Sequence, residues 1–217
     1  MIKDNYCRII NEIERITAEN GIGQKVTLVA VTKNQPVDVI PQLAEAGVLH
    51  FAENRVAALE EKASLMPGTR HLIGHLQTNK VKKAIACADL IQSIDSLRLS
   101  AEIDRCAALA GKVADILIQV NIAKEPQKFG IEEENLDGLL ASVSRMEHLR
   151  VRGLMAIMPI ETKDAYYAKM YEIYRNYAEL KPYNISMDIL SMGMSGDYAT
   201  AVRYGANMVR VGSALYI

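Results

Sequence analysis

Short apolar runs alternate with longer segments of helical periodicity along this 217-residue chain, and this alternation is the feature that most constrains its fold. Several runs are apolar almost continuously, which is typical of parallel strands covered on both faces. The runs span residues 26–32, 48–53, 70–75, 90–95, 113–121, 150–158, 185–193 and 207–214. After one leading helix, helical segments are predicted to begin near Pro36, Asn54, Gln77, Ser96, Glu132, Thr162 and Ser195. Pro36 suits an early helical position, and Ser96 and Ser195 suit N-cap positions.

Strand–helix units repeated eight times favour an α/β fold in which the strands close into a single (β/α)8 barrel of the TIM type. The leading segment adds one extra N-terminal helix. No Pro-, Gly- or Ser-rich linker interrupts the alternation, so we expect a single domain over residues 1–217. A doubly wound open sheet is the competing arrangement, but no Gly-rich fingerprint follows the first strand. We therefore prefer the barrel.

The composition is that of a globular protein without a basic surplus. Hydrophobic residues make up 50% of the chain, charged residues 24%, and the net charge is −1. We therefore expect no nucleic-acid partner, and no membrane partner either, since no apolar run approaches the ~20 residues of a membrane-spanning helix. The amino terminus reads as a charged amphipathic helix rather than a signal peptide. Cys7, Cys87 and Cys106 are widely spaced, which favours reduced thiols and a cytoplasmic protein.

A lysine, Lys33, ends the first apolar run, and Asn34, Gln35 and Pro36 interrupt the strand directly after it. Side chains at the carboxyl ends of barrel strands point into the mouth where such barrels place their sites. We expect Lys33 to be partly desolvated there, which makes its neutral amine easier to reach and suits a Schiff base with an aldehyde or ketone. From this stretch alone, a lysine that turns outward at the strand end is an equal alternative.

Glycine and serine follow each of the last two predicted strands, in a pattern that suits a phosphate group. Gly193 and Ser195 follow the seventh strand, and Gly212 and Ser213 follow the eighth. Loops after these two strands hold a phosphate in many barrels. An amine and a phosphate cradle at one mouth suggest a ligand with an aldehyde and a phosphate, either pyridoxal 5′-phosphate or a phosphosugar. Arg210 favours the first because arginine can hydrogen-bond a pyridine nitrogen, although a salt bridge at the rim is the plainer alternative.

Several motifs, spread in order over nearly the whole chain, together carry a family resemblance. They include LVAVTKNQP, FAENRV, HLIGHLQTNKVK, ILIQVNIAKEPQKFGI and LSMGMSGDYATAVRYGANMVRVGSALY. On these motifs the chain resembles the pyridoxal phosphate homeostasis protein family, for which IGHLQTNK and SMGMSGDY are highly specific. One departure is Ala52, where the family usually has glycine before the Glu–Asn pair, and we expect it to cause only local repacking.

The resemblance implies a barrel similar to the N-terminal domain of alanine racemases, without the second β domain of those enzymes. It implies that Lys33 carries pyridoxal 5′-phosphate as an internal aldimine and that Arg210 faces the pyridine nitrogen. Lys128 matches a second lysine of the family, thought to help the cofactor move on or off. The cofactor-binding residues implied in this way are Lys33, Asn54, His75, Met194, Ser195, Arg210, Gly212 and Ser213.

No metal site is expected. His71 and His75 are four residues apart, a spacing that can ligate zinc on a helix, but HLIGH reads as a strand entering a loop. Structural roles, or a cofactor contact by His75, are therefore the preferred interpretation. Five tyrosines between residues 166 and 177 recur at helical spacing and are predicted to pack their helix onto the barrel.

The resemblance favours a binding protein over an enzyme. Racemisation with this cofactor needs an acid and a base on opposite faces, and alanine racemases obtain the second base from their β domain. An arginine at the ring nitrogen also keeps that nitrogen unprotonated and weakens the ring as an electron sink. We therefore expect no catalytic residues. We expect a monomer that stores, buffers and delivers pyridoxal phosphate, with apoenzymes as acceptors, and thereby affects amino-acid and keto-acid balance. The alternative is a small racemase or Schiff-base lyase.

Overall fold

The computed structural model describes residues 1–159, 164–178 and 184–217, in which eight parallel strands form a closed barrel in sequential order. The strands are β1 (Thr27–Val31), β2 (His50–Glu53), β3 (Thr69–Leu72), β4 (Leu90–Ile94), β5 (Ala114–Val120), β6 (Leu149–Ala156), β7 (Ile185–Ser191) and β8 (Met208–Val211). Pairing of Val29 with Arg210 and of Ala30 with Val211 joins β1 to β8 and closes the barrel. The predicted barrel is confirmed, and every strand overlaps the apolar run that predicted it.

Helices surround the barrel in the described part of the chain. The leading helix is α1 (Ile2–Glu19), and seven helices follow strands: α2 (Val39–Glu45), α3 (Val56–Lys62), α4 (Val81–Cys87), α5 (Leu97–Leu109), α6 (Glu133–Val143), α7 (Asp164–Ala178) and α8 (Tyr198–Arg203). Short 3-10 turns at Ala63–Leu65 and Thr78–Lys80 adjoin α3 and α4. A last short helix, α9 (Ser213–Tyr216), follows β8 and is not predicted by the sequence pattern.

Two of the predicted helix starts agree closely with the structure. The Ser96 hydroxyl caps α5 by accepting a hydrogen bond from the Leu99 N–H at 3.4 Å. Glu132 is the N-cap residue of α6, which begins at the next residue. In both places an extended residue directly precedes the helix, so the boundary is set locally.

Two other predicted starts are wrong. Ser195 is not an N-cap, because α8 begins only at Tyr198 and Ser195 lies in the preceding turn. Pro36 precedes its helix, since a turn at residues 37–38 intervenes before α2 begins at Val39, with Asp38 as the N-cap residue. The predicted start at Thr162 lies outside the described residues.

The core has two layers. Inside the barrel, a small apolar cluster consists of Val29, Val31, Ala52, Leu90, Leu117, Met155 and Met208. Between the strands and the helices lies a much larger cluster, against which the tyrosines of α7 pack as predicted. α1 buries Ile9, Ile13 and Ile16 and contacts α2, α8 and α9, the helices on either side of the β8–β1 seam. Among the described residues, no helix is long and apolar enough to span a membrane.

Candidate functional site

Lys33 lies just beyond the carboxyl end of β1, at the end of the barrel where all eight strands finish. The turn after β8 is its neighbour, because a Cβ placed on Gly212 would lie 3.5 Å from the Val31 Cβ. The Lys33 side chain is exposed, so the expected partial desolvation is wrong for this structure. The strand ends at Val31, and Lys33 belongs to a turn with Asn34 in the left-handed region (φ 61°), so it is not part of the covered strand.

Behind Lys33, a buried polar cluster holds the end of β1. The Lys62 Nζ donates to the Glu53 Oε1 at 2.6 Å and to the Thr32 C=O at 2.8 Å. The Thr32 hydroxyl donates to the same Glu53 oxygen at 2.8 Å, and the Tyr216 hydroxyl donates to the C=O of the last β1 residue at 3.0 Å. The cluster therefore fixes the backbone that carries Lys33. Sequence reasoning missed it, because Lys62 reads as an ordinary helix lysine.

Ser195 joins the turns that follow β7 and β8. Its Oγ accepts hydrogen bonds from the Gly212 N–H at 3.0 Å and the Ala214 N–H at 3.3 Å. With two amides donating to this oxygen, the hydroxyl proton is left to donate elsewhere. Ser213 lies between the two amides and is exposed. The structure therefore brings Ser195, Gly212 and Ser213 together, as the phosphate prediction requires.

The turn before Ser195 has a shape that requires glycine at position 193. Gly193 has φ +94°, and a Cβ there would lie 2.5 Å from the Ala201 Cβ. Asp197 then closes the turn, since its Oδ1 accepts from the Met194 N–H at 2.5 Å and its Oδ2 accepts from the Tyr167 hydroxyl at 2.6 Å. Met194 is exposed at the mouth. Asp197 was not among the predicted residues, although it determines the conformation of this turn.

Arg210 is the buried cation of the site. Its guanidinium donates from Nη1 to the Ser191 Oγ at 2.7 Å and from Nη2 to the Ala156 C=O at 2.9 Å. Burial lowers the pKa of Arg210 to about 10, so the group still carries its charge at neutral pH. The alternative of a salt bridge at the rim is wrong, because Arg210 is only 3% exposed and is absent from the ion pairs of the described residues.

Asn54 and His75 lie at the same end of the barrel, after β2 and β3. Gly74 packs against the backbone of Asn54, where a Cβ would lie 2.1 Å from the Asn54 C=O oxygen. The His75 ring stacks on Phe129 with 3.8 Å between centroids, and its Nδ1 lies 3.6 Å from the Asp95 carboxylate. Neither Asn54 nor His75 hydrogen-bonds to Ser195 in the described part of the chain. These residues therefore lie at the mouth without direct contact to the Ser195 hydroxyl.

Lys128 also lies at the mouth, in the loop between β5 and α6. Its Nζ pairs with the Glu125 carboxylate and donates to the Met158 C=O at 3.3 Å. The side chain is about three-quarters buried, with 27% exposed. Lys128 and Lys33 are therefore in different environments, one paired and one exposed.

His71 and His75 lie in different parts of the barrel. The His71 Nε2 lies 3.0 Å from the His50 Nδ1, and its Nδ1 lies 2.9 Å from the Gln92 Nε2, inside the barrel. His75 lies instead at the mouth. No cluster of three potential metal ligands occurs among the described residues.

A cavity of about 400 Å³ lies at the amino-terminal end of the barrel, lined among others by His50, His71, Asp89, Asp115 and Arg152. Its carboxylates are already paired with arginines, for example Asp115 with Arg152 at 2.9 Å. Barrels of this type carry their sites at the carboxyl end, where the predicted residues converge. We therefore assign the functional site to the carboxyl end.

The side chains at that end suit a ligand with a phosphate, an aldehyde and a ring nitrogen. Ser195 has a hydroxyl proton free to donate to a phosphate oxygen, because two amides already donate to its oxygen. Lys33 supplies an exposed amine at the same end of the barrel. Arg210 supplies a buried, rigidly held guanidinium. The donor set therefore matches the functional groups of such a ligand.

Comparisons with known proteins place the chain among similar barrels. A family model described as the alanine racemase N-terminal domain matches residues 8–217. The chain is 34% identical over 221 residues to the pyridoxal phosphate homeostasis protein of Aquifex aeolicus (strain VF5), a match that covers 98% of this chain and 96% of that protein.

Two solved structures extend the likeness. PipY of Synechococcus elongatus PCC7942, with PLP bound, matches with a TM-score of 0.80 and 34% identity, over 95% of this chain and all of that one. The alanine racemase of Clostridium difficile 630 matches with a TM-score of 0.76 over 98% of this chain and 59% of that one. At 18% identity, the second match shows a common fold alone.

Proposed function

This chain belongs to the pyridoxal phosphate homeostasis protein family, and from that membership we propose that it binds pyridoxal 5′-phosphate, holds it covalently through Lys33 and takes part in the storage, buffering and delivery of that cofactor. The observation that carries the proposal is that Ser195 joins the turns after β7 and β8 at the same end of the barrel as Lys33, with Gly212 packed against Val31, two residues before that lysine. When bound, the cofactor supplies an aldehyde that a lysine amine can attack.

Each residue of the site has a role in this proposal. Lys33 would hold the cofactor through its amine, which can condense with an aldehyde with loss of one water molecule. Ser195 and Ser213 donate hydrogen bonds to the phosphate, and Gly212 leaves room for it because no side chain projects from that position. The guanidinium of Arg210, held by Ser191 and the Ala156 C=O, would donate to the ring nitrogen. The residues that flank the ring are Asn54, His75 and Met194, and Lys128 lies beyond them.

We propose that the protein is a carrier rather than an enzyme. Arg210 keeps its proton at neutral pH, so it donates to the ring nitrogen and leaves that nitrogen unprotonated. This weakens the ring as an electron sink. The proposal includes a monomeric, single-domain, cytoplasmic protein whose acceptors are apoenzymes that use the same cofactor.

The experiment is an absorbance titration of the purified protein with pyridoxal 5′-phosphate, followed by borohydride reduction and peptide mapping. We expect a visible absorbance band and a reduced adduct on Lys33. Lys33→Ala should abolish the adduct, and Lys25→Ala, an exposed lysine at the amino-terminal end of the barrel, should leave it unchanged. Pyridoxal without the phosphate should bind more weakly.

An adduct found on Lys128 alone, or no adduct in any protein, would overturn the covalent role of Lys33. Turnover of amino-acid enantiomers by the wild-type protein at ordinary enzyme rates, about 1–10³ s⁻¹, would instead favour a racemase or lyase.

A further inference from the structure

A chain of hydrogen bonds crosses the barrel interior from Arg210 at the mouth to His50 at the amino-terminal end. The Arg210 Nη1 donates to the Ser191 Oγ at 2.7 Å, and the Ser191 hydroxyl donates to the Gln92 Oε1 at 2.7 Å. The Gln92 Nε2 lies 2.9 Å from the His71 Nδ1, and the His71 Nε2 lies 3.0 Å from the His50 Nδ1. These five side chains come from β8, β7, β4, β3 and β2.

The direction of every bond in the chain follows from the groups involved. Arginine can only donate, so the Ser191 oxygen accepts from it and the hydroxyl proton goes to the Gln92 carbonyl oxygen. The Gln92 amide group must then donate to the His71 Nδ1. A neutral His71 consequently carries its proton on Nε2 and donates it to the His50 Nδ1.

Both His71 and His50 are neutral at neutral pH. Burial, reinforced by the neighbouring His50, lowers the pKa of His71 to about 3. Burial also lowers the pKa of His50. All the dipoles of the chain therefore point their negative ends at Arg210, whose charge is buried without a carboxylate partner among the described ion pairs. Aligned neutral dipoles of this kind polarise one another and stabilise the cation.

We infer that Gln92 is a positioning residue, which holds the Arg210 guanidinium toward the ring nitrogen through Ser191 and sets the tautomer of His71 on its other side. The inference rests on the proposed function for the part that concerns the ring. The part that concerns the tautomer of His71 does not depend on cofactor binding. Gln92 can do both because it is the one member of the chain with an acceptor on one side and a fixed donor on the other.

The first experiment uses the protein without added cofactor. Nitrogen-15 NMR of histidine-labelled protein should find the His71 proton on Nε2. Gln92→Glu keeps the acceptor for Ser191 but replaces the donor with an oxygen, so the His71 proton should move to Nδ1. Ser100→Ala removes a buried hydroxyl on α5, bonded to the Ser96 C=O at 3.0 Å, and should leave the tautomer unchanged. A wild-type proton on Nδ1, or no change in Gln92→Glu, would overturn the assigned direction.

The second experiment compares pyridoxal 5′-phosphate with its analogue in which a C–H group replaces the ring nitrogen. Gln92→Met, which has a side chain of similar length, and Ser191→Ala should weaken binding of the cofactor about tenfold, equivalent to one hydrogen bond to a charged group. Binding of the analogue should change less than about twofold, since it offers Arg210 no acceptor. With the cofactor bound, the absorbance maximum of both variants should differ from that of the wild-type protein. With the analogue bound, the maxima of variants and wild-type should be the same.

Equal weakening for both ligands would mean that Gln92 only supports the fold, and the positioning role would be wrong. Should Gln92→Met fail to fold, Ser191→Ala decides the same point. If wild-type protein bound neither ligand, the proposed function would fail, and the role toward the ring with it. The NMR result would still decide the direction of the hydrogen bonds between Gln92, His71 and His50.

Discussion

Replacing Lys62 by methionine tests how the buried cluster behind Lys33 stabilises the protein. The Lys62 and Glu53 side chains are 5% and 1% exposed, and their charged atoms lie 2.6 Å apart. Methionine fills similar space but leaves the Glu53 carboxylate without its cation. Among the described residues, the second carboxylate oxygen already has no hydrogen-bond partner, so the remaining charge is poorly compensated.

The expected loss follows from these contacts. Removing one partner of a buried ion pair costs about 3–5 kcal/mol, because an uncompensated charge stays in the interior. For a chain of this length, that loss lowers the melting temperature by roughly 6–20 °C. Urea denaturation monitored by circular dichroism measures the free energy of unfolding directly.

Two further variants make the test specific. Lys83→Met removes the cation of an exposed pair, Lys83 with Glu60 at 2.9 Å, and should cost less than about 1 kcal/mol. The double variant Lys62→Met with Glu53→Gln removes the orphaned charge and should recover about 2 kcal/mol or more of the loss. If Lys62→Met cost no more than Lys83→Met, or if the double variant were less stable than Lys62→Met, the reasoning would be refuted.

Gly193→Ala should destabilise the protein by about 2–3 kcal/mol, because φ is +94° and the new methyl group would meet the Ala201 Cβ at 2.5 Å. Gly196→Ala, with no atom within 4 Å of the added group, is the matched control and should change the unfolding free energy by less than about 1 kcal/mol. His71 makes stability depend on pH: its pKa falls from 6.5 to about 3 on folding, so its contribution is complete above pH 6.5 and is lost as the pH falls toward 3. Between pH 6.5 and pH 4, wild-type protein should lose roughly 3 kcal/mol more unfolding free energy than His71→Gln. The measurement is urea denaturation of both proteins at a series of pH values, and an equal change of unfolding free energy with pH in the two proteins would contradict this.

The barrel could be predicted from the sequence because its signals are local. Strands covered on both faces show as continuous apolar runs, and the helices between them show as a 3.6-residue period. The fold then places the ends of all parallel strands at one mouth, which is why Lys33, Ser195, Gly212, Ser213 and Arg210 could be grouped before any contact was known. The assignments of these residues to particular parts of the cofactor remain predictions.

The exact helix starts and the environment of Lys33 depended on the tertiary structure. Ser195 resembles an N-cap in sequence, but Gly193 and Asp197 form a turn that delays α8 to Tyr198. Lys33 reads as the end of a buried strand, but the turn at Asn34 leaves it exposed.

The partners of the polar groups inside the molecule depended on the tertiary structure. Glu53 ends the strand HFAE and Gln92 lies in the strand LIQSI, and neither stretch of sequence indicates a partner. Glu53 pairs with Lys62 on the helix that directly follows its strand. Strand register across the barrel sets the partners of Gln92, which are Ser191, 99 residues away, and His71, 21 residues away. Local propensity acts between neighbours in sequence. The closure of all eight strands decides which strand residues point into the barrel and which residues they meet there. The sequence by itself therefore determined the architecture and the end of the barrel that carries the site, and only the tertiary structure decided which buried polar groups support Lys33 and Arg210.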